Sequence, residues 1–146
     1  MKTVLIIGFV WPEPKSSAAG SRMLQLINLL QRQGYAITFV TTTNESKNAF
    51  DLNSIGVKTA NIELNNTSFD EFIKDLKPDV VLFDRFMTEE QFGWRVAEHC
   101  PNAIRVLDTE DFHGLRKGRG EAIKNNETFS SICTCFCYSF YCNISI

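Results

Sequence analysis

Polar residues able to hold a ligand gather at three places in this chain, each just after an apolar run. Ser16, Ser17, Gly20, Ser21 and Arg22 follow VLIIGFV; Asp84 and Arg85 lie at the end of DVVLFDR; Asp108, Thr109, Glu110, Asp111 and His113 follow IRVL. The backbone amides of Ala19 to Arg22, with the Arg22 cation among them, suit an anion at a helix start. An ordinary strand-to-helix connection reads the same segment equally well. Asp84 and Arg85 suit a hydroxyl or an anionic group that must be oriented. A mutual ion pair or a helix cap is the competing use of those two side chains. Trp11 sits in the first of these segments, but it and Trp94 read more readily as packing residues than as stacking platforms for a ligand.

The elements that position these residues alternate strand and helix. Val4 to Ile7 is a continuous apolar run, as a strand buried on both faces of a parallel sheet requires. Gly8 follows, where a side chain would obstruct an approaching backbone or ligand. Pro12 and Pro14 exclude a helix through the next loop. Ser16, Ser17 and Ser21 are candidate caps for a helix whose stripe is Met23, Leu26, Ile27, Leu29 and Leu30, closed by Arg32 and Gly34. Ile37 to Val40 is the second strand, Glu45 to Ser54 a short helix, and Val57 to Leu64 the third strand. Ser68 and Glu71 make a capping box for a helix that Pro78 stops. Val80 to Phe83 is the fourth strand, and Thr88 caps the helix after it. Ile104 to Leu107 is the fifth, with a charged helix within 110–124. Crossovers of this length predict an α/β fold, a doubly wound, right-handed parallel sheet of Rossmann-like type. The three polar clusters would then share the carboxyl edge of the sheet, where such folds bind ligands. Neither GxGxxG nor GxxxxGK[ST] occurs, so a dinucleotide or P-loop site at the first turn is not expected.

A length of 146 residues holds one domain with a real core, and 44% hydrophobic content with net charge −2 belongs to a soluble globular protein. There is no basic excess, so nucleic acid is not an expected partner. The first apolar run is too short for a signal peptide or a membrane span, which makes a cytoplasmic location the expectation. Residues 1–127 are expected to form the domain. Residues 128–146 differ in kind: they carry no charge and hold Cys133, Cys135, Cys137 and Cys142. A C-x-C-x-C-x4-C run supplies four thiolates, but alternate residues of a strand do not converge, so no metal is expected. A shifted reading frame or a truncation accounts better for the break in composition. Deleting this tail is expected to leave thermal stability unchanged or improved.

The opening strand, the loop WPEPKSSAAGSRM, the helix ending QRQGYAITFVT and the stretch DRFMTEEQFGWRVAEHCPNAIRVLDTEDFHGLRKGR resemble the N-terminal half of bacterial glycosyltransferases. The group is the retaining one with two Rossmann-like domains, family four. Gly34, Tyr35, Ile37 and Thr38 match its G-[HYW]-x-[VI]-T closing pattern, with Tyr35 where His is usual. The resemblance spans roughly residues 2–125 and implies an acceptor-side domain. Its partners would be a sugar or glycan acceptor, and a nucleotide-sugar donor only with a second domain. No cofactor and no activity of this chain alone are implied. The resemblance makes Ser17, Gly20, Arg22, Asp84, Arg85, Asp108, Glu110 and Asp111 acceptor-binding residues. His113 is the nearest match to a sugar-contacting, catalytic histidine; a surface histidine on a helix's first turn is the competing reading. No carboxylate is assigned as nucleophile, because the family does not depend on one. Arg116, Lys117 and Arg119 would face an anionic acceptor or make a peripheral membrane contact, if they are not a solvated helix face. A stand-alone flavodoxin-like binding or regulatory domain is the alternative.

Overall fold

A computed structural model describes residues 2–109 and 113–125, the second stretch with its side chains from residue 119 onward. The chain divides into two units, Met1–Glu110 and Asp111–Ile146, and the sheet belongs wholly to the first. Five parallel strands, β1 (Thr3–Gly8), β2 (Ala36–Thr41), β3 (Lys58–Asn61), β4 (Val80–Asp84) and β5 (Ile104–Asp108), lie in the order β3-β2-β1-β4-β5. The helices are α1 (Ala18–Arg32), α2 (Ser68–Leu76), α3 (Phe86–His99) and α4 (His113–Lys124), with a 3₁₀ turn at Leu52–Ile55. Of these, α4 belongs to the second unit. The fold is the expected Rossmann-like α/β type. Its strand order matches the first five strands of the dinucleotide-type sheet and differs from the flavodoxin order.

The continuous apolar runs explain the centre of the sheet. Val4 and Ile6 face one core with Ile37, Phe39, Leu82 and the α1 residues Met23 and Ile27. Leu5 and Ile7 face the other, with Val81, Phe83, Phe69 and Ile73 of α2, and Phe92 and Val96 of α3. So α1 covers one face, and α2 and α3 the other. Phe39, Phe69, Phe83 and Phe92 are among the largest fully buried side chains, and truncating any of them to Ala costs about 3–5 kcal/mol. Leu29 does not join the α1 stripe; it is 55% exposed, because it turns away from the sheet. At the β5 edge Ile104, Val106 and Leu107 are also exposed.

Several expected boundaries and caps shift. The third strand stops at Asn61, short of Leu64, and the Glu45–Ser54 helix shrinks to the 3₁₀ turn. The capping box at Ser68 does not form, since α2 starts at Ser68 itself and the Asn66 side chain accepts from the Ser68 amide (2.9 Å). Thr88 lies inside α3, not at its start. Its hydroxyl donates back to the carbonyls of Asp84 (2.9 Å) and Arg85 (3.0 Å). The helix starts instead from Arg85, at φ 72° and ψ 159°. Gly34 takes the left-handed position after α1, as expected.

Packing alone requires Gly8, since a Cβ there would overlap the Phe39 ring. Trp94 is not a packing residue, being 56% exposed with the Arg95 guanidinium over its ring at 4.7 Å. A buried polar clamp joins α2 to α3. Arg95 Nη1 contacts both carboxylate oxygens of Asp70 at 2.7 Å and donates to the Asn66 carbonyl (3.2 Å). No described helix is long and apolar enough to cross a membrane.

Candidate functional site

All five strands run the same way, so their carboxyl ends share one edge. The helices that follow β1 and β4 leave toward opposite faces, α1 to one and α3 to the other. Adjacent strands whose crossovers diverge open a crevice between them, and doubly wound folds bind ligands there. A cavity of about 260 Å³ fills that position. The β1–α1 loop and α1 supply Trp11, Glu13, Ser17 and Gly20 to its walls, and the end of β4 supplies Asp84 and Arg85.

The loop is held by sequence-distant ties. The Trp11 indole donates to the Thr43 carbonyl (2.9 Å) and packs on Phe39. The Phe50 amide donates to the Pro12 carbonyl (2.9 Å). The Glu13 carboxylate accepts from Ser16 (2.6 Å) and from the Ser46 hydroxyl, and those two bonds hold its pKa below the usual carboxylate range. Ser17 is the N-cap of α1, and its hydroxyl oxygen accepts from the Gly20 amide (3.0 Å). Gly20 has a structural reason to lack a side chain, since a Cβ would overlap the Glu13 backbone.

Across the crevice, Asp84 is only 6% exposed and accepts from the Phe9 amide (3.0 Å), so it anchors the end of β1. Arg85 Nε lies 4.0 Å from Asp84, and its guanidinium stacks over the Phe9 ring at 5.0 Å. The Arg85 backbone occupies a region that glycine normally takes, at a cost of about 1–3 kcal/mol; such strain concentrates at functional sites. Arg22 reaches from α1 to Asp108 at the end of β5 (2.6 Å).

Of the residues singled out in the sequence, Ser17, Gly20, Asp84 and Arg85 line one cavity. Arg22 and Asp108 form the neighbouring ion pair. Glu110 and Asp111 lie outside the described residues, as do the side chains of His113, Arg116 and Lys117 and the whole 128–146 tail. Sequence reasoning missed Glu13, Phe9 and the ties of Trp11 and Thr43. The acidic Glu13 between two prolines was the available signal for the first of these; the others depend on contacts between distant segments. Among the described residues no cluster of three or more His, Cys, Asp or Glu side chains could hold a metal. No family model, curated protein or solved structure matches this chain.

Proposed function

We propose that this chain is the acceptor-side half of a glycosyltransferase, holding a sugar or glycan at the carboxyl edge of its sheet. One observation carries the reading. The cavity at the divergence of β1 and β4 is walled by the same WPEPKSSAAG loop and DR pair that carry the family resemblance. A hydroxyl-bearing acceptor fits its walls, which combine the Trp11 face, the Ser17 cap and the Asp84 carboxylate. The second half of such an enzyme would bring the nucleotide-sugar, since no phosphate-binding glycine motif follows β1 in this chain. The sugar would pass to an acceptor hydroxyl positioned here; a sugar-contacting role for His113 comes from the resemblance alone. The flavodoxin-like alternative has less support, because the strand order differs from that fold's.

Calorimetry with UDP-glucose, UDP-N-acetylglucosamine and GDP-mannose tests the division of labour. The chain alone is expected to bind none of them and to turn none over; micromolar binding of any would defeat the assignment. Joined to a donor-binding domain, Arg22→Ala and His113→Ala should lower transfer more than donor affinity. Full activity in both variants would refute the site.

A further inference from the structure

A second cavity, of about 220 Å³, opens on the other side of the β1 loop, between the end of β2 and the first turns of α3. Phe9, Val10 and Phe92 form its apolar wall, and Thr42, Thr43 and Gln91 its polar one. Val10 also lines the first cavity, so the two are neighbours across a single residue.

No side chain in this lining is charged. The Asp84 carboxylate accepts from the amide of the wall residue Phe9, and Arg85, beside that carboxylate, stacks on the Phe9 ring. With that pair of opposite sign behind it and no charged side chain in the lining, the wall offers a phosphate or carboxylate guest no cation of its own. The polar groups differ in their commitments. Thr88 Oγ1 is bonded to two backbone carbonyls, and Thr43 Oγ1 pairs with Thr41 Oγ1 (3.1 Å). The Thr42 hydroxyl and the half-buried Gln91 amide have no hydrogen-bond partner among the described residues. An amide carries donors and an acceptor, so it can meet a guest hydroxyl in either role. The partly exposed Phe9 ring and Val10 offer an apolar surface to the C–H face of a saturated ring, with the buried Phe92 behind them. The volume is on the scale of one six-membered ring.

We propose that this cavity is a subsite for an uncharged, polyhydroxylated six-membered ring: one unit of the acceptor, next to the unit in the first cavity. The assignment rests on the acceptor-side reading above. Phe9 and Val10 hold the ring's apolar face, and Gln91 and Thr42 bond its hydroxyls.

Amide-resolved NMR of the full chain tests it, with methyl α-D-glucopyranoside, methyl α-D-mannopyranoside and myo-inositol as probes and glucose 6-phosphate as the charged comparator. At least one neutral ring is expected to shift Thr42, Thr43 and Gln91 at millimolar concentration, and glucose 6-phosphate to bind more weakly. Gln91→Leu should weaken that ring's binding about tenfold, the scale of one to two lost hydrogen bonds. Thr42→Val should weaken it too, as a second variant that leaves α3 intact. Shifts confined to Ser17, Gly20 and Arg22 would overturn the subsite while leaving the acceptor-side reading in place. No shift with any neutral ring, a preference for glucose 6-phosphate, or undiminished binding in both variants would also overturn it. Nucleotide-sugar binding by the chain alone would instead sink the acceptor-side reading, and with it the assignment of this cavity to a unit of the acceptor.

Discussion

Replacing Gly20 by Ala asks whether the β1–α1 loop is a rigid wall. Helix propensity alone favours Ala inside α1 by about 1 kcal/mol. Against that, the new Cβ overlaps the Glu13 backbone, and forcing atoms into a filled space costs about 1–3 kcal/mol. The Glu13 turn has little freedom to retreat. Its carbonyl accepts from the amides of Ser16 (3.1 Å) and Ser17 (2.9 Å), and its carboxylate is tied to Ser16 and Ser46. An overlap with backbone falls in the upper part of that range and outweighs propensity, for a net loss of about 1–2 kcal/mol and a fall in Tm of roughly 3–8 °C. Gly93→Ala is the matched contrast. There the Cβ meets Glu89 Oε1 at 2.5 Å, the far end of a flexible side chain that can swing aside. Propensity then wins, with a gain of about 0.5–1 kcal/mol. Thermal unfolding followed by far-ultraviolet circular dichroism, repeated in urea, reads both. A Gly20→Ala protein as stable as the wild type would refute the reasoning, because the loop that walls the crevice would then be yielding.

Arg85→Gly should relieve the backbone strain of about 1–3 kcal/mol, offset in part by glycine's entropy and the lost Phe9 stack of about 0.5–1 kcal/mol each. Stability unchanged or slightly raised, with weaker acceptor binding, is expected from paired melting and titration; a clear loss of stability would place the residue's role in folding instead. Asp70→Ala should cost about 2–3 kcal/mol in urea unfolding, below the 3–5 of a fully buried broken pair because the Asp70 side chain keeps 17% of its surface exposed. A cost under about 0.5 kcal/mol would show the clamp to be a surface pair. The Thr3 amide and hydroxyl hold the Asp79 carboxyl below its usual range. A depressed carboxylate stabilises the fold above its unfolded pKa and loses that contribution as pH falls through the folded value. The Tm advantage of wild type over Asp79→Asn should therefore be present at about pH 7 and shrink as the pH falls below about 4; an advantage undiminished in acid would deny the carboxylate's part.

The parts of the fold legible in the sequence are those where burial on both faces leaves no alternative. Val4 to Ile7 and Val80 to Phe83 read as central strands because no helix stripe or half-exposed strand shows four consecutive apolar residues between such breaks. The third strand was less legible. Its residues Lys58 and Asn61 are exposed at a sheet edge, and Ile62, which the sequence adds to the strand, lies beyond it with its amide still on the Thr41 carbonyl (3.0 Å). The start of α3 was illegible for a different reason. Its turn is made by an arginine in glycine's backbone region, and Thr88 looked like the cap because the sequence offers no sign that helix begins two residues earlier.

The site was legible in position more than in chemistry. The sequence put charges at the ends of β4 and β5 and read them as ligand-binding groups. In the sheet, Asp84 and Asp108 are register partners on adjacent strands, spaced about 5 Å apart along the backbone. Two carboxylates at that spacing repel each other unless cations stand beside them. Arg85 stands beside Asp84 at 4.0 Å, and its amide donates to the Asp108 carbonyl (2.8 Å). Arg22 crosses from α1 to Asp108 at 2.6 Å. The two acids and two arginines thus balance one another along the rim, which no local spacing could disclose, since Arg22 and Asp108 are 86 residues apart. In the cavity wall Glu13 adds a carboxylate beside the Asp84–Arg85 pair, so the described walls carry no excess of positive charge to draw an anion. On the acceptor-side reading proposed above, recognition at this edge would fall to hydroxyls, amides and aromatic faces, the groups that suit a neutral, hydroxyl-rich acceptor.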